Sequence, residues 1–261
     1  MTGLLITGLS RRFTVAGRTI AALRAVDLTV PAGALVAIVG HSGCGKTTLL
    51  RQIAGLDRPD AGTLRFVAAD GRERPRGRIG MVFQEPRLLP WKTVRANLLL
   101  ALRRQCTGAE AEARVTGALA AVGLADFAEA WPHQLSGGMA QRAAMARALC
   151  RDPDILLLDE PFGALDALTR SRLHDEFAAL RLRRPLTTVL VTHDIAEAVR
   201  LADTVAIMAD GRIVRHEPIH APHPRTPADP RLAAAGLRIT DCILGRPSHH
   251  PSTEHDPCCV P

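Results

Sequence analysis

Gly40-His41-Ser42-Gly43-Cys44-Gly45-Lys46-Thr47-Thr48 is the stretch whose reading decides the fold. It fits Gly-x-x-x-x-Gly-Lys-[Ser/Thr], a loop that wraps a polyphosphate. Before it, Ala34-Leu35-Val36-Ala37-Ile38-Val39 is an apolar run of the kind that forms a strand buried on both faces. After it, Leu49 to Ala54 suits a helix that Gly55 is placed to end. The glycines let the backbone approach a phosphate, and their N–H groups form a concave anion site. A helix starting there points its positive end at the same place. Lys46 adds a point charge for the β- and γ-phosphates, and the Thr47 hydroxyl is a ligand type that Mg²⁺ accepts. Taken alone, the loop does not separate a kinase from an ATPase or a GTPase.

The bulk properties bound what such a loop can serve. A chain of 261 residues with 47% hydrophobic and 23% charged residues is globular, with room for one α/β domain and an inserted lobe. The net charge of +7 suits phosphate ligands, an anionic membrane surface or nucleic acid without choosing among them. Aromatics make up only 3% and Tyr is absent, so stacking platforms for single-stranded nucleic acid are scarce and no nucleic-acid partner is expected. No apolar run approaches the roughly 20 residues that span a bilayer. Met1 to Phe13 lacks the basic segment of a signal peptide, which places the chain in the cytosol. Cys44, Cys106, Cys150, Cys242, Cys258 and Cys259 show no zinc-ribbon spacing and read as free thiols.

Along the chain, Leu4 to Ile6, Phe13 to Val15 and Val26 to Val30 predict a small antiparallel sheet broken at Gly8 and Gly17. Thr63 to Ala68 adds a strand, Asp70-Gly71 a turn, and Arg72 to Arg78 a solvated loop before a strand over Ile79 to Phe83. Between residues 86 and 150 the texture is helical, over Val94 to Arg104, Glu110 to Val122 and Met139 to Cys150. Strands at Ile155 to Leu158 and Thr188 to Val191 then alternate with helices at Ala167 to Arg184 and Ile195 to Ala202, which predicts a parallel sheet. Thr204 to Met208 and Arg212 to Arg215 close it as a hairpin across Asp210-Gly211. The tail beyond Gly245 carries His249, His250, His255, Cys258 and Cys259, and reads as disordered or as metal-binding.

Two further stretches carry chemistry. Ile155-Leu156-Leu157-Leu158-Asp159-Glu160 sets two carboxylates at the end of a buried strand, where parallel sheets line their ligand crevice. Asp159 there is a Mg²⁺ partner, and Glu160 can polarise a water for attack on the γ-phosphate. Leu135-Ser136-Gly137-Gly138-Met139 is a second glycine turn opening a helix, hence a second anion site. A single nucleotide does not need two such sites from one chain.

With these residues in hand, the sequence resembles the ATP-binding subunits of ABC transporters, over about residues 4 to 216. Leu-Ser-Gly-Gly is that family's signature, and Gly40 to Thr48 matches its Walker A loop. Gln84 matches the Q-loop glutamine, 155 to 160 the Walker B strand with Glu160 catalytic, Ala164-Leu165-Asp166 the D-loop, and His193 the switch histidine. The usual adenine-stacking position is Tyr; here Phe13 is the candidate, with an ordinary core Phe as the other reading. Gln84-Glu85-Pro86-Arg87-Leu88-Leu89-Pro90-Trp91 and Glu160 to Asp166 are similar to those of the nitrate/sulfonate/taurine import ATPases.

The resemblance implies a P-loop NTPase (RecA-like) α/β core with a parallel sheet, an N-terminal antiparallel β subdomain and an inserted helical subdomain at about 86–150. The ATP-binding domain would span 1–216, followed by a linker and short helix over 217–244 and a disordered tail at 245–261. It implies ATP held by Gly40, His41, Ser42, Gly43, Cys44, Gly45, Lys46, Thr47 and Thr48, with Phe13 on the adenine. Ser136, Gly137, Gly138 and Asp166 would complete the site from a second copy in a homodimer. Mg²⁺ would sit on Thr47, Gln84 and Asp159, with Glu160, His193, Lys46 and Gln84 acting in hydrolysis. A membrane permease would dock near Leu88, Leu89 and Trp91, or those side chains pack into the helical lobe. An extracytoplasmic solute-binding protein completes such systems, and the subunit works at the cytoplasmic face of the inner membrane as a peripheral protein. The cargo class is a small anion such as a sulfonate, taurine or nitrate. A thiamine-precursor importer and a soluble scaffold-type or ribosome-associated ABC ATPase are the alternatives.

Overall fold

The computed structural model describes residues 1–15, 17–163 and 165–246. Thr2–Val15 (β1) and Arg18–Val30 (β2) form an antiparallel pair around the turn at Gly17, with Leu4 opposite Val30 and Phe13 opposite Ile20. Gly8 does not break β1 as its sequence suggests. It bulges the strand at φ +60°, the pairing register shifts between Ile6 and Leu9, and its N–H goes to Asp27 Oδ1 at 2.8 Å instead of into the ladder. Leu35–Val39 (β3) then leads into Lys46–Ala54 (α1), which ends at Gly55 in the left-handed region. Ala61–Ala68 (β4) returns beside β1, and the short Glu73–Arg74 (β5) pairs with it across the Asp70-Gly71 turn. The stretch expected as a plain solvated loop therefore donates two residues to a sheet. Arg76 beyond them reaches back to the Ile53 carbonyl at 3.2 Å.

Ile79–Val82 (β6) precedes the helical lobe of Val94–Leu102 (α2), Gly108–Ala121 (α3) and Gly137–Leu149 (α4). The chain then alternates through Ile155–Asp159 (β7), Ala167–Arg183 (α5), Thr187–Val191 (β8), Ile195–Leu201 (α6) and Thr204–Ala209 (β9). Arg212–Pro218 (β10) pairs antiparallel with β9 across Asp210 and Gly211, both at positive φ as a tight hairpin requires, and Pro230–Ile243 (α7) follows. One sheet runs β2-β1-β4-β5; the other runs β10-β9-β3-β8-β7-β6, parallel except at β10.

Period-two alternation divides the core between the two layers that flank the larger sheet. Leu35, Ala37 and Val39 face a cluster built with the helices α2 to α7, while Val36 and Ile38 face a second cluster with β1, β2, β4 and α1. The same split holds in β7, with Leu156 and Leu158 on one side and Ile155 and Leu157 on the other. All these residues are at most 1% exposed, which is why the strands read as unbroken apolar runs.

Residues 219–225, expected as linker, lie against α6. Ile219 and Ala221 are buried, and the Arg225 guanidinium donates to the carbonyls of Ala221, Val199, Ala202 and Ile219 at 2.5–3.1 Å. Asp203 ties this strap to the start of β3. Its carboxylate accepts from Leu35 N–H at 2.7 Å and Arg181 at 2.9 Å, and faces His223 Nε2 at 3.4 Å. Burial alone would push its pKa up, but the His223, Leu35 and Arg181 partners override it and hold the carboxyl far below the usual range. A depressed carboxylate stabilises the fold above its unfolded pKa and ceases to do so as pH falls toward the folded value. Asp203→Asn is therefore expected to destabilise the protein at neutral pH by about 1–2 kcal/mol, discounted because the side chain is more than a third exposed. Thermal midpoints of the two proteins should converge as pH drops below about 4; a gap independent of pH would contradict this account.

Candidate nucleotide site

Parallel pairing brings three strand ends to one edge. Val36 lies opposite Val189, and Asp159 opposite Val191, so the residues after β3, β7 and β8 emerge side by side. These are the glycine loop, the Asp159-Glu160 pair and the Thr192-His193 turn. The loop folds tightly because glycine is required in it: a Cβ at Gly40 would fall on the Met208 carbonyl, and one at Gly45 on the Ala22 carbonyl. Gly45 sits at φ +108° as the N-cap of α1 and gives it no side-chain cap, leaving the first amides of that helix available to an anion. Lys46 is buried, and its ammonium donates to the carbonyls of Gly40 at 2.9 Å and His41 at 3.0 Å. The loop is thus held closed on its own lysine. His41, Ser42 and Gly43 are exposed, Thr48 is half-buried, and Cys44 is packed into the smaller core.

Across from the loop, the Thr47 hydroxyl donates to Asp159 Oδ1 at 3.2 Å. Burial raises the Asp159 pKa; the Thr47 hydrogen bond opposes this and the neighbouring Glu160 charge reinforces it. A buried carboxylate beside a hydroxyl is an oxygen donor set that fits a hard divalent cation such as Mg²⁺. Among the described residues no group of three or more His, Cys, Asp or Glu is placed to hold a metal, and the histidine- and cysteine-bearing tail lies outside them.

Glu160 leaves β7 at φ +45°, a conformation that costs a non-glycine residue energy and is held by its N–H donating to the Val191 carbonyl at 2.9 Å. That twist carries its carboxylate to His193 Nδ1 at 3.0 Å, with the histidine side chain 62% exposed. Gln84, two residues beyond β6, is exposed. Phe13 is half-buried on β1 with the Arg11 guanidinium 4.9 Å from its ring centre, so one π-face already has a cation on it. Its partner Ile20 lies two residues before Ala22, the residue that meets Gly45.

The second glycine turn stands apart from this group. Ser136 caps α4, accepting from Met139 N–H at 3.3 Å, and is exposed together with Gly137. A Cβ at Gly138 would meet Thr169 and Leu165, whereas the glycine loop is lined by β2 and β9. Asp166 caps α5, accepting from Leu168 and Thr169 N–H; Ala164 before it lies outside the described residues. Of the three residues expected at a docking face, Trp91 is 68% exposed while Leu88 packs against the larger core. Sequence reasoning passed over Asn97, Gln141 and Arg147, whose side chains hold the backbone of residues 83–93. The signal was there in α4, where polar side chains in an alanine-rich buried helix call for partners.

A parallel sheet with a glycine loop at its edge, paired carboxylates beside it and an inserted helical lobe bearing a second glycine turn defines a P-loop ATP-binding cassette. The chain matches the family model described as ABC transporter over residues 23–163, and it belongs to that family. It is 46% identical over 254 residues to the aliphatic sulfonates import ATP-binding protein SsuB 2 of Pseudomonas aeruginosa, covering 96% of this chain and 88% of the relative. It is 47% identical to the protein of that name from Streptomyces avermitilis, over 95% of this chain and 93% of the relative. Among solved structures, a dimeric bacterial ABC transporter cassette matches with TM-score 0.73 and 33% identity, over 84% of this chain and 99% of that one. Its ADP- and Pi-bound post-hydrolysis form matches equally, also with TM-score 0.73.

Because the ionised carboxylate of Asp159 is disfavoured by burial, Asp159→Asn should raise the thermal midpoint of the nucleotide-free protein while removing ATP turnover. A lowered midpoint would show that the carboxylate stabilises the empty site.

Proposed function

We propose that the chain is the ATP-hydrolysing subunit of an importer for small aliphatic sulfonates, working at the cytoplasmic face of the membrane beneath a separate permease. The observation that supports this is that the Gly40–Thr48 loop packs on β2 and β9 while Gly138 packs on Leu165 and Thr169, in a chain whose relatives are named for sulfonate import. Among the described residues no helix is long and apolar enough to cross a membrane, so the path for cargo is assigned to a partner. Both tryptophans contribute to the face suggested for it. Val94 and Arg95 N–H bond to the carbonyls of Ala130 and Ala128, which sets exposed Phe127 and Trp131 on the segment adjoining exposed Trp91. A solute-binding protein outside the membrane would bring the cargo to that permease.

In this reading two copies meet head to tail, and each ATP lies between one copy's Gly40–Thr48 loop and the other's Ser136-Gly137-Gly138, near the partner's Asp166. Lys46 exchanges its loop carbonyls for the β- and γ-phosphate oxygens, a transfer of partners inside a site already built around its charge. Phe13 would stack on the adenine with the ring face turned away from Arg11. Thr47, Asp159 and Gln84 would hold Mg²⁺, which would supply positive charge to offset that of the phosphates. Glu160, fixed by its backbone twist and by His193, orients the attacking water and accepts its proton. His193 meets the γ-phosphate from the same side. Dimer closure on ATP and opening on hydrolysis would pass to the permease through a second strap, the segment from Gln84 to Trp91.

Glu160→Gln should retain ATP binding, lose turnover by about 10²-fold or more, and accumulate as a dimer in size-exclusion chromatography with ATP; ordinary turnover would rule out the role given to Glu160. In a mixed dimer, Ser136→Arg in one copy should disable only the site whose loop belongs to the other copy. The cargo is tested by deleting the gene in its host. Growth on an alkanesulfonate as sole sulfur source should stop while growth on sulfate continues, and unchanged growth on both would exclude the sulfonate assignment.

A further inference from the structure

The backbone that carries Gln84 is held by the helix that carries Ser136. Gln141 of α4 is 4% exposed, and its side-chain amide donates to the carbonyl of Phe83 at 3.1 Å. Six residues on, the Arg147 guanidinium donates to the carbonyls of Pro86 at 2.8 Å and Arg87 at 2.6 Å. Between these anchors only Gln84 and Glu85 intervene, and both are exposed. The strap is folded back on itself there, with Arg87 at φ +47° and its guanidinium 4.3 Å from the Phe83 ring centre. Further along, buried Asn97 accepts from Leu89 N–H at 2.7 Å and donates to the carbonyls of Leu89, Lys92 and Thr93. Side chains therefore take up carbonyls that no strand ladder uses, and two of those side chains belong to α4.

An α-helix of this length is stiff on the scale of such bonds. At about 1.5 Å per residue, α4 runs for about 20 Å from Ser136 to its far end. A displacement of its N-terminus is therefore carried to Gln141 and Arg147, and through them to the peptide groups on either side of Gln84. We infer that Gln141 and Arg147 are positioning residues that couple the two ATP sites of the dimer, by locking each copy's Gln84 to the helix whose first turn serves the other copy's nucleotide. This rests on the head-to-tail reading proposed above. Gln84 reaches its own copy's site and Ser136 the opposite one, so one rigid helix takes part in both. The coupling needs no contact between Gln141 or Arg147 and nucleotide. Loss of the anchor would leave Gln84 on a strap free to move independently of the signature turn.

The test uses full-length mixed dimers in which one copy carries Arg147→Lys, which keeps the charge and loses the two-pronged donor geometry. Glu160→Gln is placed either in the same copy or in the other, so that only one chosen site turns over. Coupling through α4 predicts that kcat falls in both arrangements, by roughly tenfold, the scale of one charge-assisted hydrogen bond. KM for ATP should change little, and binding of a fluorescent ATP analogue by single copies should be unaltered. ATP-driven dimerisation followed by size-exclusion chromatography should also weaken. Gln141→Ala, which removes one bond and no charge, should reproduce the two-site pattern at smaller amplitude and serves if Arg147→Lys folds poorly. Slowing of one site alone, or of neither, overturns the inference. Mixed dimers with Ser136→Arg in one copy are run alongside: if these fail to show damage confined to a single site, it is the head-to-tail reading that falls.

Discussion

Parallel pairing of β3, β8 and β7 is the constraint on which the site depends. Parallel strands joined by right-handed crossovers all end on the same edge, so whatever follows them is gathered there whatever its distance in the chain. Gly40, Asp159 and His193 are separated by more than a hundred residues at the extremes, yet the register Val36–Val189 and Asp159–Val191 sets their turns side by side. The strands hold that register because they are buried on both faces, where a one-residue slip would exchange the two core clusters.

Energy is stored where the chemistry is assigned. Asp159 is a carboxylate withdrawn from water, Lys46 an ammonium satisfied only by its own loop, and Glu160 a non-glycine residue held at positive φ. Each is unfavourable by itself and each is maintained by a stronger neighbour: the apolar strand β7, the carbonyls of Gly40 and His41, the Val191 carbonyl. In the proposed function, a ligand that brings phosphate and a divalent cation would relieve the first two, so that binding and relief of strain would act in the same direction. Stability lost at this edge is offset by the two cores and by the Asp203 and Arg225 strap that closes the opposite side of the sheet.

The second glycine turn gives the fold its incompleteness. Gly138 packs on Leu165 and on Thr169 of α5 and not on the loop, and Ser136 and Gly137 before it are exposed. This exposed turn is open to a second copy in the head-to-tail assembly proposed above. The family assignment and the dimeric solved relatives agree with that reasoning. The lobe is nevertheless not free to move alone, since Gln141, Arg147 and Asn97 lace it to the segment following β6.

Much of this was legible in the residues themselves. Strands that are buried on both faces leave unbroken apolar runs, and glycine loops are spelled out because no other residue fits their backbone. The architecture and the family therefore followed from Gly40 to Thr48, Ile155 to Glu160 and Leu135 to Met139. Gly8 misled, because a glycine at a bulge and a glycine at a strand break look alike until the neighbouring strand is in place. Arg72 to Arg78 misled for a similar reason: two of its residues form a strand only because β4 is there to pair with. What the tertiary structure alone decided are the contacts between a side chain and a distant peptide group: Arg147 on the 86–87 carbonyls, Arg225 inside its ring of carbonyls, Asp203 on the first amide of β3. Carbonyls and amides are the same in every residue, so a sequence records which side chain can bond to them and says nothing of which ones it will meet.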